Sequence, residues 1–468
     1  MKDTRLPCTR LCLCTLVLLV AGLLAGCALH PRQQPIRDLA QLPQDLTAYL
    51  DPQTAHSPVL SSQQRNALAS SFRTAFFSPW RRTAPSFKAS LFAPYLRRAL
   101  ESRVFGENTL PRPRSWGEAL QHNADLAHFP NASFPAITVA SSSLRLLPTH
   151  KPMFRDFSLP GEGYPFDMAQ NSAVWCGTPL FVAHLSADRS WALVETGRVK
   201  GWMPTSDLAP VDADLIHRYA GGDLLAVVRD HAPIFRTASP AKESATASVP
   251  YLARARVGMV LLRDPDHASD PDSAWRLLLP VQQASGRAVL LPATLSKDDA
   301  TPFPLVLTPW NVAALGNQFM GQAYGWGGLF ENRDCSSTLL DLFAPFGIYL
   351  PRNSKAQAGS GSFTDLSSLS PGAKESALLR QGRPLLTMIY KPGHIMLFAG
   401  VHSGRPVIFH NMWGIRGTHE HGPTPGRIVV GRTVVTTLTP GLEHPAFDSQ
   451  GGSLLEGVSG MTALPLPE

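Results

Sequence analysis

Proline and glycine interrupt this chain about once every six residues, with 42 and 36 of them among 468. Proline removes an amide donor and clashes with the preceding helical turn, and glycine loses the most backbone freedom on ordering, so long helices are excluded over most of the length. Short strands joined by turns are the expected outcome. A chain this long exceeds one ordinary core and divides into three or four units at roughly 100 to 200 residues each. With 44% apolar and 16% charged residues it can fill those cores, which excludes a disordered chain.

The N-terminus carries an address. A basic start, MKDTRLPCTR, precedes LCLCTLVLLVAGLLAGC, an apolar run too short for a stable membrane span, and small residues lead into Cys27. Residues 1–26 are read as a signal peptide. Leu24-Ala25-Gly26-Cys27 resembles a bacterial lipobox, which implies cleavage before Cys27 and lipidation of its thiol and new amino group. Several acyl chains anchor stably where one would bind marginally. Ala28 follows, not an aspartate, which favours the outer membrane, with the protein facing the periplasm. An uncleaved anchor helix would leave it on the same side. The formal charge of +7 falls to +5 once Lys2, Arg5, Arg10 and Asp3 leave, and this excess is spread without blocks. Such a surface is ordinarily solvated, and no nucleic-acid partner is expected.

Cysteine counting narrows the chemistry. Cys8, Cys12 and Cys14 leave with the signal and Cys27 is consumed by lipid, so Cys176 and Cys335 remain. In an oxidising compartment these two could pair across a long loop. Cys176, in AVWCGTPL, has the surroundings of a small buried thiol.

Along the chain, residues 27–60 are rich in Pro, Gln and Asp and read as a lipidated tether. From Ser62, apolar Leu68, Phe72, Ala75 and Phe76 share a helical face, and further helices are expected over 87–103 and 116–126, making a helical region of 61–139. Short β-branched runs then continue to about 300. Two passages, SADRSWALVETGRVKGWMPTSDLA and SAWRLLLPVQQASGRAVLLPA, repeat one device, a tryptophan-led strand, a turn and a second strand. They define tandem small barrels at 140–212 and 213–300. Asp188, Trp191, Gly201 and Trp202 resemble the bacterial SH3-like barrel, and the tryptophan pair reads as core before ligand site. The last unit, 301–468, has a helix at 311–324 and then strand candidates at 385–390, 394–400, 406–412 and 427–437, an α+β plan.

Cys335 opens a helix in which Leu339, Leu342, Phe343 and Phe346 recur on one face. A helix N-terminus favours negative charge, so a thiolate is expected there, with Asp334 or Ser336 as the cap. His394 stands at the mouth of the apolar strand in KPGHIMLFAG and can serve as a base. His410 lies on the next strand, and a hairpin centred on residue 402 would set it beside His394, where it can orient the imidazole. Asn411 is an alternative orienter on the opposite face. His419, Glu420 and His421 supply only two convergent ligands, so no metal is expected.

Asp334-Cys335-Ser336, the preceding YGWGG, LPRNSKAQ at 350–357, Gly393-His394 and His410 together resemble the NlpC-type cysteine peptidases, papain-like enzymes that cut bacterial cell-wall peptides. The upstream helical region and two barrels are similar to a lipoprotein subgroup of that family. Ser337 departs from the glycine many relatives carry, at a position in the first helical turn that tolerates serine. The resemblance implies an α+β, papain-like catalytic domain preceded by two SH3-like barrels and a helical region. It implies Cys335 as nucleophile, His394 as base and then acid, and His410 as the orienting member. Tyr324 would line the oxyanion site, and Asp334, beside Ser336, would bind a free substrate amine or simply cap the helix. The implied substrate is a murein stem peptide cut between γ-D-glutamate and a diamino acid, diaminopimelate, by a monomer without cofactor. The competing readings are a non-catalytic peptidoglycan-binding or scaffolding lipoprotein, and an amidase or acyltransferase on a related fold.

Overall fold

The computed structural model describes residues 36–237, 251–267, 274–418 and 426–467. The leader, Cys27 and the His419-Glu420-His421 triplet lie outside the described residues. No helix among the described residues is long and apolar enough to cross a membrane.

The helical region begins at Ser62–Phe76, where Ser61 and Gln64 exchange side-chain and backbone hydrogen bonds in a capping box and Leu68, Phe72 and Phe76 are buried. The expected helix over 87–103 is shorter, Ala93–Glu101, because Pro94 fixes its first turn. It crosses the helix Arg114–Ala124 at Gly117, where a Cβ would meet the Ala99 carbonyl oxygen at 2.5 Å.

Two seven-stranded antiparallel sheets follow. With the strands of each numbered by chain order, both run 3-2-6-5-4-1-7 across the sheet, so the repeat seen in the tryptophan-led passages is a repeat of topology. The first sheet opens at Phe134, inside the stretch assigned to the helices, and the second closes at Pro302. Trp191 and Trp202 are buried beneath Phe92, Leu96 and Leu120 of the helices, so they are core.

The last unit has a six-stranded sheet with the spatial order Phe363–Asp365, Gly460–Ala463, Thr387–Lys391, His394–His402, Arg405–Arg416 and Arg427–Thr437. The helix Cys335–Phe343 packs on it through Leu339, Leu342 and Phe343, with Phe346 beyond. Every neighbouring pair in this sheet is antiparallel.

The tether expected over 27–60 does not extend through its described part. Leu42, Leu46, Tyr49 and Leu60 lie in the same core as Leu397 and Phe409. Polar groups of this segment also meet the edge strand Arg427–Thr437: the Val435 amide donates to Gln44 at 2.9 Å, and the Thr437 amide to Asp38 at 2.7 Å. A sheet edge with unpaired amides needs a cover, and residues 36–50 supply it.

Candidate active site

Cys335 is the first residue of its helix, and Asp334 caps it. The Asp334 carboxylate accepts from the Ser337 amide at 2.8 Å while the Ser337 hydroxyl accepts from the Asp334 amide at 2.8 Å. Ser337 is therefore half of a capping box. Arg352 donates to both Asp334 oxygens, at 2.7 and 3.1 Å, and the Gly327 amide and Ser336 hydroxyl add bonds at 3.1 and 3.0 Å. Burial opposes this charge, yet Arg352 and the capping donors hold the acid below its ordinary range. With both oxygens saturated, Asp334 has no acceptor left for a substrate amine, and neither it nor Ser336 reaches the cleft. Of the three substrate-binding residues expected from the sequence, only Tyr324 lines it.

The cleft, of about 480 Å³, brings Cys335 and His394 together with Tyr324 and Trp413, under a wall formed by Glu162 and Phe166 of the first barrel. Cys176 and Cys335 are both free thiols. Burial, and then the charge of Asp334, push the Cys335 thiol up to about 12, against backbone donors of Ile395 and Ser336. The thiolate expected from position alone is thus not the resting form, because loss of solvation outweighs the helix terminus. Tyr324 is buried and its hydroxyl has no hydrogen-bond partner among the described residues.

The two histidines meet, but not through the register expected. The turn is Ser403-Gly404, both at positive φ, as a two-residue hairpin turn requires. His402 pairs with Arg405 and Val401 with Pro406, and that alignment would put His394 and His410 on opposite faces. A bulge between Phe398 and Gly400 inserts one residue, after which Leu397 pairs with Phe409. The parity flips, His410 falls opposite Met396, and His394 becomes its diagonal neighbour on the same face. Gly400 sits at φ 150°, against Tyr49, where a Cβ would come within 3.0 Å.

Hydrogen bonds settle the tautomers. The Thr436 hydroxyl donates to the Thr437 carbonyl at 2.8 Å, so toward His410 Nε2, 3.0 Å away, it accepts. His410 then carries its proton on Nε2 and accepts at Nδ1 from His394 Nε2–H, at 2.9 Å. His394 Nδ1 keeps a lone pair. Burial, and then Lys391, lower His394 to about 4, and burial with His394 lowers His410 well below its ordinary value. Both imidazoles rest neutral. Asn411 points to the other face, as strand alternation demands, and its amide donates to the Arg333 carbonyl at 2.8 Å.

Thr436, Arg352 and the cleft residues Glu162, Lys391 and Arg427 escaped sequence reasoning. Arg352 had a signal, since it stands inside LPRNSKAQ; Thr436 had none beyond its alternation in a strand.

Comparison with known proteins agrees with this layout. Residues 14–129 match the N-terminal NLPC_P60 stabilising domain, 152–204 an SH3 domain of the SH3b1 type, and 321–405 the NlpC/P60 family. The chain is similar to the solved structure of an NlpC/P60 endopeptidase from Photobacterium damselae subsp. piscicida, with 27% identity, a TM-score of 0.78, and coverage of 91% of this chain and 98% of that one. An NlpC/P60 family protein from Bacillus cereus aligns at 16% identity over 71% of this chain and 100% of its own, with a TM-score of 0.45. No curated protein matches.

Proposed function

The chain belongs to the NlpC/P60 family, and from that premise we propose that it is a cell-wall cysteine endopeptidase cutting murein stem peptides between γ-D-glutamate and diaminopimelate. The observation that carries this reading is the cleft shared by Cys335 and His394, with the hydrogen-bonded chain His394–His410–Thr436 behind them. His394 Nδ1 takes the thiol proton as Cys335 Sγ attacks the amide carbonyl, so a high resting thiol pKa is no obstacle. The Cys335 amide and the free Tyr324 hydroxyl donate to the developing oxyanion. The C–N bond breaks, the amine leaves with the proton from His394, and a thioester remains. Water, deprotonated by His394, hydrolyses it and returns the thiol. His410 keeps the imidazole in its working tautomer and steadies the imidazolium that forms in each half. No metal and no cofactor enter these steps.

The protein acts as a monomer anchored to the outer membrane through lipidated Cys27, facing the periplasm. A Cys27→Ser chain should lose membrane attachment and incorporate no labelled palmitate; retained label would refute the anchor. The enzymatic reading is tested by incubating residues 28–468 with L-Ala-γ-D-Glu-diaminopimelate and with murein, and identifying products by mass. Release of diaminopimelate by wild type and not by Cys335→Ala is expected. Equal release by both would sink it, and binding without turnover by wild type would favour the scaffolding alternative.

A further inference from the structure

Outside the reacting pair, the cleft is unevenly charged. Arg98, Arg155, Lys391 and Arg427 line it, and Glu162 is the only carboxylate among its described lining residues. Glu162 is engaged already, since Arg155 donates to it at 2.9 Å. Lys391 and Arg427 make no hydrogen bond or ion pair with a described residue, although both are partly buried. The Arg427 Nε is fully buried without a partner. Its guanidinium lies against the backbone of Gly161 in the first barrel, where a Cβ would come within 2.6 Å of Nε. The Lys391 stem lies along Gly457, where a Cβ would come within 2.4 Å of Cε. Close packing of both stems leaves these cations little room to swing into bulk water. Glu162 favours the Arg427 charge only from a distance, and a half-buried cation without a contacting counter-ion is costly, two in one cleft costlier.

Resting on the reading of the cleft as the peptidase site, we propose that Lys391 and Arg427 form a carboxylate-binding subsite. Through it the enzyme selects an acidic peptide with a free carboxylate beside the scissile bond. The chemistry of the proposed substrate fits. An amide made through the γ-carboxyl of glutamate leaves the α-carboxylate free three carbons from the reacting carbonyl, and diaminopimelate brings a carboxylate on the amine side. An ordinary α-peptide bond offers neither by default. Arg can take a carboxylate in a two-pronged pair and Lys as a point charge, and both gain strength from the dry setting. The subsite also touches the chemistry. Burial and the Arg427 charge lower Lys391, and Lys391 in turn helps to lower His394. A bound carboxylate would neutralise that cation, raise His394 toward the neutral range and make it a stronger base when substrate is present.

The test uses three tripeptides: L-Ala-γ-D-Glu-diaminopimelate, the same peptide with the glutamate α-carboxylate amidated, and the same peptide with the free diaminopimelate carboxylates amidated. Binding to the Cys335→Ala protein is measured by calorimetry and kcat/KM with wild type. One amidated peptide should bind about 10- to 100-fold more weakly than the parent, which identifies the carboxylate that is read. In Lys391→Gln and Arg427→Gln proteins, checked for unchanged Tm, that preference should shrink to within about threefold. Equal binding of all three peptides, a preference that survives both substitutions, or no binding of any peptide would overturn the subsite. If wild type turns over none of the peptides, the peptidase reading fails, and the binding preference of the Cys335→Ala protein still decides the subsite.

Discussion

The two seven-stranded units share one topology and grip the cysteine loop from opposite chemistries. The first meets it with neutral partners: Gln170 donates to the Gly327 carbonyl at 2.9 Å, and the Ser172 hydroxyl accepts from Arg352 at 2.8 Å. It also lends Glu162 and Phe166 to the cleft, where Phe166 meets Trp326 edge-on with centroids 5.3 Å apart. The second unit stays out of the cleft and holds the loop by charge. Its Asp230 takes Arg333 at 2.7 and 3.0 Å and Arg256 at 3.1 Å, while Arg333 reaches Asp341 of the cysteine helix at 2.8 Å. Burial opposes ionisation of Asp230, but Arg333 and Arg256 keep it far below the usual carboxylate range. The two units of one topology have thus divided two tasks, a wall that lines the cleft and a clamp that stays outside it.

The clamp should fail hardest. Asp230→Ala leaves two buried arginines short of the carboxylate they share, Arg333 with Asp341 alone and Arg256 with the half-exposed Glu331 at 3.3 Å, and should cost about 3 to 5 kcal/mol in denaturant unfolding. A loss below about 1 kcal/mol would mean the second unit is a bystander. Behind the wall, Thr436→Val removes the acceptor that holds the His410 tautomer. It should lower kcat about 10- to 100-fold with little change in KM or Tm, while Thr436→Ser restores it. Unchanged kcat would discard the tautomer chain. Ser172→Ala strips one neutral contact from buried Arg352 and should cost about 1 to 2 kcal/mol. If it equalled Asp230→Ala, the contrast between neutral and charged grips would fall. Phe166→Ala, at the cleft edge, should raise KM a few-fold and leave kcat nearly intact.

Acid should separate the two regions as well. His394 and His410 are lowered in the fold, so the unfolded chain binds more protons than the native one below about pH 6.5. Their contribution to stability is complete above that pH and is lost as pH falls through about 4, the value for His394. Asp230 is lowered, so its pairs with Arg333 and Arg256 stay charged through this window and weaken only below the ordinary carboxylate range, whereas burial raises Asp341. Titrating unfolding midpoint against pH should show a decline from about 6.5 downward that His410→Gln reduces; a decline unaltered in that variant would place its origin elsewhere.

Much of this site can be read from the chain because its signals are local. Helical spacing from Leu339 to Phe346 placed Cys335 at a helix start, strand alternation put Asn411 opposite His410, and the tryptophan-led passages announced a repeat that recurs in the strand order. These follow from the periods of helix and strand, which every residue obeys whatever lies beyond it. Other features needed the assembled molecule. One inserted residue before Gly400 decides which face His394 shares with His410, and hydrophobic pattern alone cannot count a bulge. Asp334 turned from a candidate anchor into a saturated cap because Arg352, 18 residues further on and beyond the helix, arrives beside it. The strand Gly460–Ala463 enters the sheet between two earlier strands, and residues 36–50 cover its far edge. Local periodicity by itself determined where the nucleophile and base stand along the chain. Burial and pairing in the assembled molecule, which no local period encodes and which draw on partners from the next strand to the first barrel, decided their protonation, their facing and the charge of the cleft around them.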